Sequence, residues 1–220
     1  MIQLHAARVG MPTSRATVDV DMVLHIETGA TTFGAARGAL ESLGYELRIP
    51  EQRRAPVHRF TRGIDQIDVM IADHLAPSCS PVVTGRPVFR VPAGTSALRK
   101  TVNCTIGILP DSPSNLSIPD ALGALVLKGA AYKEDPRDRE RHLDDAAILL
   151  CAIDMPQSDA RRMSGSDRGR VRTLAQHLSD SQHRSWLTVP PTYRMQGQIA
   201  LSILARDPEP SRKPRRLGTS

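Results

Sequence analysis

A short acidic segment, residues 15–24, decides how the rest of this chain is interpreted; it reads RATVDVDMVL. Its apolar and β-branched residues predict a β-strand. Because successive strand side chains point to opposite faces, Asp19 and Asp21 share one face, and the apolar residues between them take the other. Two carboxylates about 7 Å apart on one strand repel each other unless a cation lies between them. The segment therefore predicts either a Mg²⁺ site that also carries substrate phosphates or a half-buried strand with two solvent-facing acids.

A second acidic strand is predicted over residues 64–71, where polar and apolar residues alternate. The alternation places Asp68 on one face with Gln66 and Met70, and Asp65 on the other face. If this strand neighbours the first, Asp68 completes a site of three carboxylates. The alternative is that Asp68 is an exposed strand acid. Asp65 lies nearer the preceding turn, so we expect it to be ordinary surface.

The remaining periodicities predict the order of elements along the chain. The first half contains a helix over residues 1–9, a helix capped by Thr31 or Thr32 and ended by Gly44, a loop-rich stretch, and several strands, namely 18–26, 45–49, 57–61, 64–71 and 101–109. Residues 111–115 form a cluster of turn residues that predicts a domain boundary. Beyond it the pattern is helical, with one helix beginning at Pro119 and others over 138–153, 167–178 and 192–205.

This order predicts an α+β fold in which a small mixed or antiparallel sheet with flanking helices is followed by a helical domain. We expect one domain over 1–110, a second over 116–205, and a disordered basic tail over 206–220. A ligand is expected in the cleft between the two domains. The tail carries five basic and two acidic residues, hence +3 of the net charge of +6. Such a tail is either simply solvated or attracts a polyanion such as RNA.

Cysteine content and hydropathy bear on the cellular compartment of the protein. The three cysteines, Cys79, Cys104 and Cys151, are odd in number and match neither a disulfide framework nor a zinc spacing. No apolar run approaches the roughly 20 residues that a membrane span needs. These features predict a cytoplasmic protein without a membrane partner.

The acidic motifs resemble a known family. The pattern R-x-T-x-D-x-D, followed by Asp68, resembles the nucleotidyltransferase fold of the DNA polymerase β superfamily, above all its AbiEii-type branch, which includes toxins of toxin–antitoxin pairs. Residues 124–132, ALVLKGAAY, are similar to the lysine helix of that family. Residues 141–150, RHLDDAAILL, are similar to its acidic helix, usually of the form K-D-x-x-D. In that register Asp145 matches the second acid and His142 stands where the first would be.

The resemblance implies a metal-dependent nucleotidyltransferase. Such a protein transfers a nucleoside monophosphate from a nucleoside triphosphate to an RNA acceptor, such as tRNA, or to a protein hydroxyl. A toxin of this kind also has an antitoxin protein as a partner. The residues implied as catalytic and as ligands of Mg²⁺ or Mn²⁺ are Asp19, Asp21 and Asp68. Those implied in nucleotide binding are Arg15, Thr17, Lys128 and Asp145.

Simpler interpretations stand beside these roles. Lys128 lies in a helix that is apolar nearly all round, so its charge needs a partner or solvent. The partner would be a triphosphate or Asp145 on the neighbouring helix; otherwise the ammonium reaches solvent at the helix edge. Asp145 could instead pair with Arg141 on the helix surface. Arg15 and Thr17 could belong to an ordinary solvated loop. The histidines have no metal-ligand spacing and are interpreted as surface or incidental residues, namely His5, His58, His142 and His177.

One part of the family pattern is missing. A Gly-rich turn that cradles the nucleotide phosphates should lie just upstream of the segment that matches residues 2–6. We therefore expect the chain to be truncated at its N-terminus. Either the true start codon lies upstream, or the gene is degenerate and its product is an inactive homologue that acts as a binding or interaction module.

Overall fold

A computed structural model of the chain describes residues 1–12, 19–109 and 112–207. It has an α+β architecture, which confirms the predicted fold class. The helices are α1 Ile2–Arg8, α2 Phe33–Ser42, α3 Gly94–Leu98, α4 Ala121–Glu134, α5 Arg139–Cys151, α6 Pro156–Arg162, α7 Asp167–Leu178 and α8 Pro191–Ala205. The strands are β1 Asp19–Leu24, β2 Glu46–Leu47, β3 Arg59–Arg62, β4 Asp65–Ala72, β5 Val82–Val83, β6 Arg86–Pro87, β7 Arg90–Val91, β8 Thr101–Leu109 and β9 Ser112–Pro119.

The main sheet is mixed and has β4 at its centre. Its strands follow the order β1-β4-β3-β2, and β7 pairs with the end of β4. β1 runs parallel to β4, whereas β3 and β4 form an antiparallel hairpin. The hairpin turns at Gly63, whose φ of 59° is the left-handed conformation that glycine adopts without a steric penalty. The predicted strand pair and its turn are therefore confirmed.

Helix α2 connects β1 to the rest of the sheet and begins as predicted. The hydroxyl oxygen of Thr32 accepts a hydrogen bond from the backbone N–H of Ala35 at 3.1 Å, which satisfies one of the unpaired donors of the first turn. Phe33 and Leu40 point inward from this helix. They pack in a cluster with sheet residues such as Phe60 and Ile71, so that α2 covers the apolar face of the sheet.

A second hydrophobic cluster is helical and is centred on α4, α5, α7 and α8. Its largest member, Trp186, is fully buried and donates its indole N–H to the carbonyl of Leu178 at 3.0 Å. α1 also belongs to this cluster through Ala6, and the hydroxyl of Tyr193 in α8 donates to the carbonyl of Val9. The first helix of the chain therefore packs with elements that follow residue 116 in the sequence.

A buried ion pair links the end of α3 to the start of α7. The ammonium of Lys100, just after α3, lies 2.9 Å from a carboxylate oxygen of Asp167 at the start of α7, and both side chains are at least 95% buried. The Ser96 hydroxyl donates to the same carboxylate at 2.6 Å and accepts from Lys100 at 2.8 Å. The position of the helices relative to the sheet is therefore set partly by charge.

Two local predictions were wrong. The turn cluster at 111–115 lies mostly in β9, which pairs antiparallel with β8 over its length. The backbone bonds of a paired partner strand satisfy this polar segment, which has no apolar alternation of its own. Helix α4 does not begin at Pro119, which ends β9; instead Asp120 caps the helix and accepts from the backbone N–H of Gly123 at 2.8 Å.

Two further expectations concern the stretch before β8 and the C-terminal tail. The stretch expected to be rich in loops, 75–96, holds the short strands β5, β6 and β7 and the start of α3. The expected tail, 206–220, lies outside the described residues except for its first two. Among the helices that the structure describes, none combines the length and the apolar character needed to cross a bilayer.

Candidate functional site

The three predicted carboxylates lie on one face of the β1–β4 strand pair. The parallel register places Asp21 directly opposite Asp68 and Asp19 opposite Gln66. Neighbouring strands are about 4.8 Å apart, and residues that lie side by side in this way point to the same face of the sheet. We call Asp19, Asp21 and Asp68 the acidic cluster. The alternation of two separate segments correctly predicted this shared face.

The charges of the acidic cluster act on one another. The pKa of Asp21 is raised, first by the burial of its carboxyl group among the surrounding side chains and then by the negative charges of Asp19 and Asp68. The residue as a whole is exposed. No residue that the structure describes donates a hydrogen bond to Asp19 or Asp21. These two carboxylates therefore repel each other without a close cationic partner among the described residues.

Asp68 has such a partner in Arg59 on β3. The Arg59 Nε donates to Oδ1 at 2.9 Å and Nη2 donates to Oδ2 at 2.8 Å, so both oxygens accept in a bidentate arrangement. Asp68 is 7% exposed, which contradicts the alternative that it is an exposed strand acid. His58 Nε2 lies 3.9 Å from Oδ2.

Arg59 responds electrostatically to all three acids. Its pKa is raised above the ordinary value, mainly by the hydrogen bonds to Asp68, and the charges of Asp68, Asp19 and Asp21 add to this effect. Sequence reasoning missed this residue, although the hairpin turn could have revealed it. Because β3 and β4 join at Gly63, a register that pairs Arg62 with Asp65 also pairs Arg59 with Asp68.

Lys128 and Asp145 form the second part of the site. The Lys128 ammonium on α4 lies 2.7 Å from a carboxylate oxygen of Asp145 on α5, which is 4% exposed. Of the alternatives for Lys128, an ion pair with the neighbouring helix is thus the one that the structure shows. Arg141, one turn before Asp145, forms an ion pair with Asp138 at 3.3 Å.

The helical elements bring positive charge towards the sheet acids. The charges of Lys128 and Arg141 both act to lower the pKa of Asp21, against the larger raising effects. Several of the same charges act on the Met1 amino group, whose pKa is lowered by burial and by Lys128, against the raising effects of Asp21 and Asp145. The start of α1, the acidic cluster and the Lys128–Asp145 pair therefore border the same region.

Two histidines differ from the prediction that they are surface or incidental residues. His5 is 3% exposed, and its Nε2 lies 2.8 Å from the carbonyl of Pro119. Both ring nitrogens of His142 are buried, with no hydrogen-bond partner among the described residues. Burial, and after it the charge of Lys128, lowers the pKa of His142. Their sequence spacing carries no signal of this burial, since it depends on elements packed against them.

The other predicted site residues and the metal site remain predictions. Arg15 and Thr17 lie outside the described residues. Within the part of the chain that the structure describes, no group of three or more His, Cys, Asp and Glu side chains is arranged to hold a metal ion. Asp19 and Asp21 suit a divalent cation, because two unpaired hard oxygen donors repel each other there. Asp68 does not suit it in the observed arrangement, because Arg59 engages both of its oxygens.

The fold and the site define an α+β protein with carboxylates on a parallel strand pair and a lysine–aspartate pair on two adjacent helices. No family model, curated protein or solved structure matches the chain.

Proposed function

We propose that this protein is a metal-dependent nucleotidyltransferase that transfers a nucleoside monophosphate from a nucleoside triphosphate to an RNA or protein acceptor. The observation that supports this most directly is the register of β1 and β4. It sets Asp21 beside Asp68 with Asp19 on the same face, and burial, followed by the negative charges of Asp19 and Asp68, raises the pKa of Asp21. Carboxylates that share one face and repel one another favour a bound cation, and hard oxygen donors are the ligands that Mg²⁺ prefers.

The proposed reaction joins an acceptor hydroxyl oxygen to the α-phosphorus of the nucleotide. The bond from that phosphorus to the oxygen bridging to the β-phosphate breaks, pyrophosphate leaves with the electron pair of that bond, and the hydroxyl proton passes to solvent water. When bound, Mg²⁺ or Mn²⁺ offsets the charge that develops on the phosphate oxygens. Asp19 and Asp21 would hold the ion, because their carboxylates are exposed or half-buried and have no close partner among the described residues.

Lys128 would bind the triphosphate. Its ammonium is already close enough to oppose the raised pKa of Asp21, so a phosphate chain bound to a cation at Asp21 would also lie within its field. Asp145 holds the lysine in place through their ion pair at 2.7 Å. The pair would therefore orient the nucleotide and would not form covalent bonds with it.

The test incubates the protein with labelled nucleoside triphosphates, Mg²⁺ or Mn²⁺, and total cellular RNA. We expect labelled RNA or labelled protein with the wild type and none with the double variant Asp19→Asn/Asp21→Asn. Asp65→Asn is the matched control, because Asp65 lies on β4 but is exposed and pairs with Arg62. Equal labelling by the double variant and the wild type would show that the acidic cluster is not catalytic.

One observation favours a second candidate, an inactive homologue that acts as a binding or interaction module. The bidentate contact with Arg59 occupies both oxygens of Asp68, the residue that should complete the cation site. This candidate predicts nucleotide binding by equilibrium dialysis without transfer of label in the assay above. A toxin role predicts that expression arrests growth and that the double variant does not.

A further inference from the structure

Arg59 and Asp68 are joined more closely than the exposed ion pair of the same hairpin, Arg62–Asp65. Two parallel hydrogen bonds of 2.9 and 2.8 Å link them across the β3–β4 hairpin, and the strand register sets them directly opposite each other. By comparison, Arg62 and Asp65 share a single bond of 3.1 Å in the same hairpin, and both side chains are about half exposed. Bidentate pairs of arginine and carboxylate are among the stronger hydrogen-bonded contacts in proteins.

Among the described residues, the other cations near the acidic cluster have closer partners of their own. Lys128 already lies 2.7 Å from Asp145, and Arg141 pairs with Asp138. Arg59 is thus the described cation in direct contact with the cluster, and its guanidinium lies within the field of all three carboxylates. In the observed structure its single positive charge partly offsets the charge of the three carboxylates.

We propose that Arg59 is the resident counter-ion of the acidic cluster and that a divalent cation reaches Asp68 only after this guanidinium has moved away. The inference rests on the proposed function, because it concerns the same carboxylates. A carboxylate has enough lone pairs for several partners. A guanidinium and a divalent cation bound to the same carboxylate, however, lie close enough to repel each other. Occupation of Asp68 is therefore an exchange between the two.

The surroundings allow the arginine to move and keep the aspartate in place. The Arg59 side chain is 45% exposed, whereas that of Asp68 is 10% exposed. A hollow of about 230 Å³ lies beside the guanidinium and is lined by Arg48, Ile49, Pro50, His58 and Arg59 itself. Rotation of the Arg59 side chain into this hollow would release both Asp68 oxygens without a change in the backbone of the sheet.

The first test measures Mn²⁺ binding by electron paramagnetic resonance, without nucleotide, on folded protein verified by circular dichroism. We expect Arg59→Gln to bind Mn²⁺ about tenfold more tightly than the wild type, because one adjacent positive charge is removed. Arg62→Gln is the matched control, since it removes the same charge from the same strand, and we expect its affinity to stay within about twofold of the wild type. Affinity in Arg59→Gln that equals or falls below that of the wild type would overturn the proposal.

The second test uses the wild type alone and therefore does not depend on the stability of the variant. Nuclear magnetic resonance follows the Arg59 Nε–H signal, which we expect to move to a solvent-exposed position as Mg²⁺ is added. An unchanged signal at saturating Mg²⁺ would overturn the proposal.

The outcomes separate this inference from the proposed function. Mn²⁺ binding that is lost in Asp19→Asn/Asp21→Asn but unchanged in Arg59→Gln refutes the counter-ion role and leaves the enzyme proposal intact. Tighter binding in Arg59→Gln, together with no transfer of label by the wild type, supports the counter-ion role and refutes the activity. Absence of Mn²⁺ binding in every protein refutes both.

Discussion

Replacement of Lys100 by Met is expected to destabilise the protein by about 3 kcal/mol, because removal of one partner from a buried ion pair typically costs 3–5 kcal/mol. The Lys100 and Asp167 side chains are 5% and 1% exposed, so solvent cannot replace the lost ammonium. The lower end of the range applies, since Asp167 keeps hydrogen bonds from the Ser96 hydroxyl and the Ser164 N–H, and Arg170 lies 3.8 Å away. For a chain of this size the loss corresponds to a melting temperature lower by about 6–12 °C.

Thermal and urea unfolding, followed by circular dichroism, measure this effect. Arg37→Met is the matched control; the Arg37–Glu41 pair is exposed on α2, and its loss should cost about 0.5 kcal/mol or less. The double variant Lys100→Met/Asp167→Asn should regain most of the stability, because it removes both charges of the pair. The Asn oxygen can accept from the Ser164 N–H, and the Asn amide can donate to the Ser96 hydroxyl, which no longer accepts from Lys100. A Lys100→Met variant as stable as the control variant would refute the reasoning.

The Lys100–Asp167 pair also predicts how the folding stability changes at acidic pH. Burial alone would raise the pKa of Asp167, but hydrogen bonds from Lys100, Ser164 and Ser96 outweigh it and hold this pKa below its ordinary value. The stability that Asp167 contributes is therefore complete above the unfolded pKa of about 3.9 and is lost as the pH falls through the lower folded pKa. In Lys100→Met the largest of these lowering effects is absent, so this acid-dependent loss should be smaller.

Three more predictions concern the site and the helical cluster. Asp21→Asn should be more stable than the wild type by less than about 1 kcal/mol at pH 7, because the raised pKa means that the charged carboxylate is less favourable in the folded protein than in the unfolded chain. The difference in unfolding free energy, measured by urea unfolding, should vanish below about pH 4, where Asp21 is protonated in both states. Burial raises the pKa of the Cys151 thiol to about 12, so mass spectrometry after brief alkylation should find the exposed Cys79 modified and Cys151 intact. Gly129→Ala should lower the unfolding free energy by about 1–3 kcal/mol, because a Cβ there would lie 2.6 Å from a backbone oxygen of α7. A Cβ at Gly169 would meet open space, so the control Gly169→Ala should be neutral or stabilising.

The acidic strand and its partner show why part of this fold could be predicted. Alternation is a property of neighbouring residues, so the spacing of Asp19 and Asp21, and the place of Asp68 within its own segment, already assign each carboxylate to a face. Helical periodicity is local in the same way, and α2, α5, α7 and α8 accordingly have bounds close to those predicted.

Other features could not be predicted, because they depend on a partner that is distant in the chain. The polar residues of β9 form a strand since β8 is there to pair with them. His5 is buried because the end of β9 and the helical cluster cover it, and nothing within α1 indicates this. The Arg59–Asp68 contact lies between these two cases in how far sequence predicts it. The two residues are nine apart, and the hairpin register pairs them once the turn position is known.

The chain's own order of residues thus determined the longer helices, the two acidic strands and the faces that carry acid, because backbone geometry repeats every two residues in a strand and every 3.6 in a helix. The packing of the folded molecule settled which charges meet. Packing forms the ion pairs Lys128–Asp145 and Arg59–Asp68. It also places the start of α1 within electrostatic range of Asp21. Ion pairing depends on distances of a few ångströms between groups that can be many residues apart, and only the complete arrangement of sheet and helices determines those distances.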